Sequence, residues 1–264
     1  MSIRDTLKKS KMIMNTHQKI MKAYCCALTL ISPELNTRIR YRMVFGKKIN
    51  LDNPQTLNEK ILWLKLYRYM KDPLVIQCAD KYRVREYVEK CGCGRILNEL
   101  IGVWESANQI PWEELPNQFA LKWNFGFGMN IICSDKKNLD PKKAVSQLRA
   151  WEKSKPWLPY SEMQYKYTPK KIICEKYLSE IIPNTSITDY KVYCFHGKPL
   201  AILVMHNRNH GSSNQSNNMR TEFFDATWRP LTNTSKYKNV DVPSEMPVCF
   251  DEMMNISMML SRAY

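Results

Sequence analysis

The sequence predicts an α+β fold, with helices first and then a mostly antiparallel sheet carrying few helices. Three observations lead there. Apolar residues recur at helical spacing through much of the first hundred residues, whereas from residue 119 the pattern changes to short strand-like runs separated by turns. Helical and strand segments do not alternate as a parallel βαβ fold requires. Hydrophobic residues make up 44% of the 264 and aromatics 11%, enough for a packed core, which excludes a wholly disordered or fibrous chain. At this length single cores stop growing, so a division into lobes is expected.

Each element follows from local chemistry. Ile3–Leu30 reads as a helix with Ile13, Ile20, Met21 and Leu28 among its apolar positions. Pro33 and the turn-rich stretch Gly46–Pro54 punctuate the chain. Thr56-x-x-Glu59 is a capping box, opening a helix through Trp63, Leu66 and Tyr67. Asp80 is expected to N-cap the next helix, where Val84, Tyr87, Val88 and Cys91 share a face before Gly92 stops it. Leu100–Trp104 is a strand and Pro111–Pro116 a loop. Phe119–Trp123 and Asn130–Cys133 are strands joined through Phe125-Gly-Phe-Gly128, and a polar helix runs from Pro141 to Trp151. Further strands are Ile172–Leu178, Thr188–Phe195, Leu200–Met205 and Arg220–Asp225, with a hairpin turn at His196-Gly-Lys-Pro199. Gly211–Asn218 is a polar loop, and Phe250–Leu260 a last amphipathic helix.

Charge narrows the partners. Forty Lys and Arg stand against 25 Asp and Glu, a formal +15, which favours phosphates, nucleic acid, acidic polysaccharide or an anionic membrane surface. Residues 1–71 hold fifteen Lys/Arg against Asp5, Glu34, Asp52 and Glu59, so this basic front is a candidate for peripheral contact with the inner membrane face. The apolar run Ala23–Ile31 is far shorter than the roughly 20 residues that cross a bilayer. Lys19 and Lys22 crowd it, which argues against a signal peptide. Nine cysteines without paired C-x-x-C knuckles fit a reduced, cytoplasmic chain, and Cys91-Gly-Cys93-Gly reads as an ordinary loop. No P-loop, Rossmann or G-x-S-x-G fingerprint is present, and no RRM, OB or zinc-knuckle pattern points to nucleic acid.

Chemistry concentrates in a few places. Alternation in Phe119–Trp123 puts Phe119, Leu121 and Trp123 on one face and leaves Lys122 with Ala120 on the other. Gly126 and Gly128 let backbone N–H groups approach phosphate oxygens, and Lys81, next to the expected cap Asp80, would meet an anion at a helix start. Glu175 lies in an apolar run, where a carboxylate needs hydrogen-bond donors. In Thr188–Phe195, Asp189, Lys191 and Tyr193 share a polar face.

The ordered set Ala79-Asp-Lys-Tyr-Arg-Val-Arg-Glu-Tyr-Val88, Phe119-Ala-Leu-Lys-Trp-Asn-Phe-Gly-Phe-Gly128, Ile173-Cys-Glu-Lys-Tyr-Leu178 and Asp189-Tyr-Lys-Val-Tyr-Cys-Phe-His-Gly-Lys198 resembles the TupA-like ATP-grasp family. Phe45–Pro54 and Asn58–Tyr67 carry its upstream signature. The resemblance implies an ATP-grasp-like fold in which ATP and Mg²⁺ serve carboxylate–amine ligation through an acyl phosphate. It also implies a place in bacterial capsule or cell-wall polysaccharide biosynthesis, with an acidic polysaccharide or its precursor and an amine donor as partners. It covers roughly residues 33–264 and, after a basic amphipathic helix at 1–32, would organise the chain as a helical or α+β N-terminal lobe at 33–118, a small lobe with the glycine loop at 119–178 and a partial C-terminal lobe at 179–264.

By the same resemblance Lys81 and Lys122 contact phosphates, Gly126 and Gly128 close over them, and Lys191 is a later phosphate-facing position. Glu175 would accept the adenine amino group, Lys176, Tyr177 and Leu178 would form the hinge, and Glu180 would meet the ribose. The family's metal-binding carboxylates follow the helix that here reads Phe250–Leu260, where this sequence ends at Ser261-Arg-Ala-Tyr264, so the metal ligands are expected to be missing from this chain. Glu222 and Asp225 stand as substitutes with no spacing pattern behind them. Two alternatives remain open: a glycosyltransferase of the same pathway, and a non-enzymatic module that binds polyanions.

Overall fold

Ser32 and Pro33 start a helix that the sequence pattern missed. In a computed structural model describing residues 3–178, 187–207, 219–231 and 243–262, helix α1 (Ile3–Ile31) ends just before α2 (Pro33–Phe45). The Ser32 hydroxyl accepts the Leu35 N–H, and the proline occupies a first-turn position where its missing N–H costs nothing. Gly46, at φ 69°, ends α2. The capping box is present at α3 (Leu57–Tyr67): Thr56 Oγ1 accepts from Glu59 N, and the Glu59 carboxylate takes the backbone N–H groups of Asn50, Gln55 and Thr56. Those bonds, Thr56 foremost, hold Glu59 down at a pKa of about 2.

Asp80 is not an N-cap. Asp72 is: its Oδ1 accepts from Leu74 and Val75 and starts α4 (Pro73–Ala79), whose C-cap is Asp80. Asp-Pro is the stronger start signal, a side-chain acceptor followed by a preset φ, and it wins one element earlier. Helix α5 (Val84–Lys90) follows from Arg83 without a side-chain cap and stops at Gly92, φ 74°.

Strands β1 (Leu100–Trp104), β2 (Phe119–Trp123), β3 (Asn130–Cys133) and β4 (Ile172–Lys176) form one antiparallel sheet in the order β1-β4-β2-β3. Helix α6 (Pro141–Glu152) lies between β3 and β4 in sequence. Strands β5 (Asp189–Phe195), β6 (Lys198–His206) and β7 (Arg220–Asp225) form a second antiparallel sheet, followed by α7 (Phe250–Ser261). The architecture is therefore α+β. Strand β4 stops at Lys176, two residues short of the predicted end, so Tyr177 and Leu178 follow it. His196 and Gly197, at φ 50° and 74°, make the two-residue turn joining β5 to β6. Glu180 and the Gly211–Asn218 loop lie outside the described residues.

The chain divides into two compact units. The first comprises Met1–Lys81, Asn124–Phe127 and Arg149–Lys171. Its apolar core joins Tyr41, Ile49, Leu51 and Leu66, and a buried polar stitch ties α1 and α2 to the 158–161 turn. There Asn36 Nδ2 donates to Thr29 Oγ1 at 2.8 Å and Ser161 Oγ at 3.0 Å. The second unit comprises Tyr82–Trp123, Gly128–Leu148 and Ile172–Tyr264 and holds both sheets. Phe119, Leu121, Trp123, Ile172, Ile173 and Cys174 are fully buried in its first sheet. Helix α7 closes one face of the other, where Ile202, Val204, Phe224 and Phe250 cluster and Trp228 stacks on Phe224 at 4.3 Å.

Candidate functional site

Strand register places the first cluster, in the second unit. Ala120 pairs with Glu175 and Lys122 with Ile173, which makes Lys122 and Glu175 diagonal neighbours on one face of the sheet. Lys122 Nζ donates to Glu175 Oε2 at 2.6 Å. Arg85, on α5, brings Nη1 to Oε1 at 3.4 Å while Nη2 donates to the Asn98 carbonyl at 2.8 Å. Side-chain exposures are 28% for Lys122, 17% for Arg85 and 12% for Glu175, so a half-buried carboxylate is gripped by two cations and one positive charge is left over. Only one of the three Lys122 ammonium donors is used in this pair. Next to it, burial first and the Glu175 charge second push the Cys174 thiol up to about 12.

After β4 the backbone is fixed at Lys176. Its N–H donates to Glu99 O at 3.0 Å, its carbonyl accepts from Asn98 Nδ2 at 2.8 Å, and its ammonium lies 3.4 Å from the Glu99 carboxylate. Tyr177 is half-buried and Leu178 is exposed. Gly128 has φ 69° with open space where a Cβ would stand. Lys191 is exposed on β5, opposite Leu203 in the second sheet, and no hydrogen bond or ion pair joins it to Lys122 or Glu175 among the described residues.

Lys81 and Gly126 belong to the first unit. Lys81 does not sit at a helix start, because Asp80 ends α4 and α5 begins only at Val84. Its position has another cause: the Lys81 N–H donates to Asn124 O at 2.9 Å, and Nζ donates to Gly126 O at 2.7 Å. Asn124 is fully buried and clasps the neighbouring segment, accepting from Lys171 N at 2.8 Å and donating to Pro169 O at 2.8 Å. Gly126 has φ 66°, a conformation that disfavours a side chain. Phe127, 61% exposed, meets Tyr160 edge-on at 6.0 Å, and the Arg40 guanidinium lies 4.3 Å from that ring centroid.

Sequence reading singled out Lys122 and Glu175, which the sheet brings together, and Lys81 and Gly126, which hydrogen-bond. It missed Arg85 and Asn98 as members of the first cluster. Arg85 stood in view inside Arg83-Val-Arg85, about one turn before buried Val88 on the same side of α5, whereas Asn98 carried no signal at all.

Residues 59–264 match the family model described as TupA-like ATPgrasp. The chain belongs to the TupA-like ATP-grasp family. Comparison with curated proteins and with solved structures finds no match. The family carries a general ATP-grasp function, and the matched span of this TupA-like chain includes Lys81, Arg85, Lys122, Gly126, Gly128, Glu175 and Lys191.

ATP and Mg²⁺ are implied by that membership, and the residues fit them unequally. The surplus cation over Glu175 suits a phosphate. The carboxylates proposed for Mg²⁺ do not suit a metal. Glu222 accepts from Arg220 Nε and Nη2, Ser244 N and Ser244 Oγ, with His206 Nε2 at 3.2 Å. Burial pushes the Glu222 carboxyl up, but bonds from Ser244 and Arg220 outweigh it and leave the group below its ordinary value. Asp225 is filled by Thr227 and Arg229, whose donors hold it well below the carboxylate range. Each already takes four hydrogen bonds from Arg, Ser or Thr donors that a divalent ion would have to displace, and no group of three His, Cys, Asp or Glu could hold a metal among the described residues.

Proposed function

We propose that this chain binds ATP and uses it to activate a carboxylate for capture by an amine, in bacterial cell-surface polysaccharide biosynthesis at the cytoplasmic side. The observation that carries the reading is the Arg85–Glu175–Lys122 cluster. Two cations share one carboxylate in a low-dielectric setting, so an arriving phosphate finds donors already aimed and partly desolvated. ATP supplies the phosphoryl group that turns an acid into an acyl phosphate, and the protein supplies positioning and charge. Lys122 donates its remaining N–H groups to phosphate oxygens, and Arg85 keeps Glu175 from withdrawing that ammonium. Lys81, through Gly126, sets the shape of the glycine loop, and Lys191 serves as a further phosphate contact.

Lys176 has both backbone groups engaged by Asn98 and Glu99, which leaves the adenine edge to the backbone of Tyr177 and Leu178. Glu175 takes one donor on each oxygen, so its carboxylate positions Lys122 and keeps lone pairs for the adenine amino group. Acidic polysaccharide precursors are the acceptor class that matches the chain's +15 charge.

Thermal unfolding with ATP, with UDP-sugars and with oligonucleotides tests the reading. ATP at about 100 times its Kd should stabilise the fold by about 2.7 kcal/mol, a rise of several degrees in Tm. Lys122→Ala should abolish that rise while circular dichroism stays unchanged. A rise with UDP-sugar alone would replace the ligase with a glycosyltransferase, and a rise with oligonucleotide alone would replace it with a polyanion-binding module.

A further inference from the structure

Helix α1 presents an apolar stripe on the side away from its packing face. Cys25, Leu28 and Thr29 are buried in the first unit, with Thr29 donating to Leu158 O at 2.7 Å. At about 100° per residue, Ile20, Ala23, Tyr24, Ala27, Leu30 and Ile31 fall within a roughly 120° arc centred on the opposite side. All six are exposed; Ile20 is 62%, Leu30 66% and Ile31 75% accessible. By the same geometry Lys19 borders one edge of the arc and His17 the other, both exposed. An uncovered stripe of this kind is unusual on a globular surface, where large apolar residues scatter singly.

We propose that this stripe docks on an anionic bilayer surface, with α1 lying in the interface plane. Charge selects the occupant. Residues 1–71 carry fifteen Lys/Arg against four acidic residues, and Arg4, Lys8, Lys9 and Lys11 precede the stripe on the same helix. A second copy of the chain would bring like-charged flanks together, whereas anionic headgroups attract each lysine near the surface by about 1 kcal/mol. Tyr24 suits the headgroup level, where its ring can be buried and its hydroxyl remain wet. Two alanines in the stripe keep the insertion shallow, and no helix among the described residues is long and apolar enough to cross a membrane.

Co-sedimentation of the whole chain with vesicles tests this without nucleotide, so its failure leaves the ATP reading standing. Vesicles of phosphatidylcholine with about a third phosphatidylglycerol should bind the protein, and pure phosphatidylcholine should not. Binding should fall at least about tenfold between about 50 mM and about 500 mM salt. Ile20→Ser with Ile31→Ser should cost about tenfold in partitioning while circular dichroism is retained, because both side chains are exposed. Lys19→Glu with Lys22→Glu should weaken binding to anionic vesicles without touching the stripe. Absence of binding, equal binding to neutral vesicles, or full retention by the serine variant would each overturn the proposal. So would a dimer in sedimentation velocity that the serine variant disperses while vesicles stay unbound.

Discussion

The two sheets of the second unit each hold a carboxylate beside an arginine, and the two clusters differ in how full they are. Glu222, on the α7 side of β7, receives Arg220, Ser244 and His206 together, and its side chain is 6% exposed. Glu175 receives one hydrogen bond on each oxygen, one of them long, from two cations that remain partly exposed. The first arrangement is crowded, with Arg220, Ser244 and His206 converging on Oε2 and the Ser244 N–H on Oε1. The second keeps donors in reserve. A carboxylate crowded with donors stabilises the fold, while in the proposed function the sparsely bonded one leaves cationic donors for an incoming phosphate.

That contrast can be broken by mutation. The larger effect is expected at Glu222→Ala, which strands Arg220 and the Ser244 N–H and should lower the unfolding free energy by about 2 kcal/mol in urea titration. The rise in Tm produced by ATP should survive; its loss would join the two clusters functionally. Arg85→Met should lower stability by only about 1 kcal/mol but raise the Kd for ATP about tenfold, measured by calorimetry, because Glu175 would then compete for Lys122. An unchanged Kd would remove Arg85 from the site.

A third carboxylate sharpens the rule. Glu59 in the first unit is filled by backbone donors, and its pKa falls from 4.5 to about 2. A depressed folded-state pKa contributes stability that is present above about pH 4.5 and lost as pH drops toward about 2. Glu59→Gln should therefore cost stability at pH 6, and its gap to the parent chain should close steadily in thermal melts down to pH 2. A gap independent of pH would mean that the capping bonds do not set the carboxyl's titration.

Much of the fold was legible because it is written locally. The capping box needs only Thr56 and Glu59, and the primed turn needs only His196 and Gly197 between alternating strands. Asp80 misled because it preceded a helical pattern, while the true start, Asp72-Pro73, opened a helix of seven residues, too short to show a period. Lys122 and Glu175 were visible as charged residues in apolar strands. Their pairing depends on β2 and β4 meeting across 53 residues, and Asn98 enters only through the backbone near β1. Long-range register has no local sequence mark.

No disulfide joins any of the nine cysteines, and Cys249, at the start of α7, is exposed while the other eight are buried or half-buried. A maleimide dye should accordingly label this chain at one place first, beside Phe250 and the apolar face of the second sheet. Such a fluorophore would watch that sheet loosen during denaturation while the interior thiols, Cys174 above all, stay unmodified until the molecule opens.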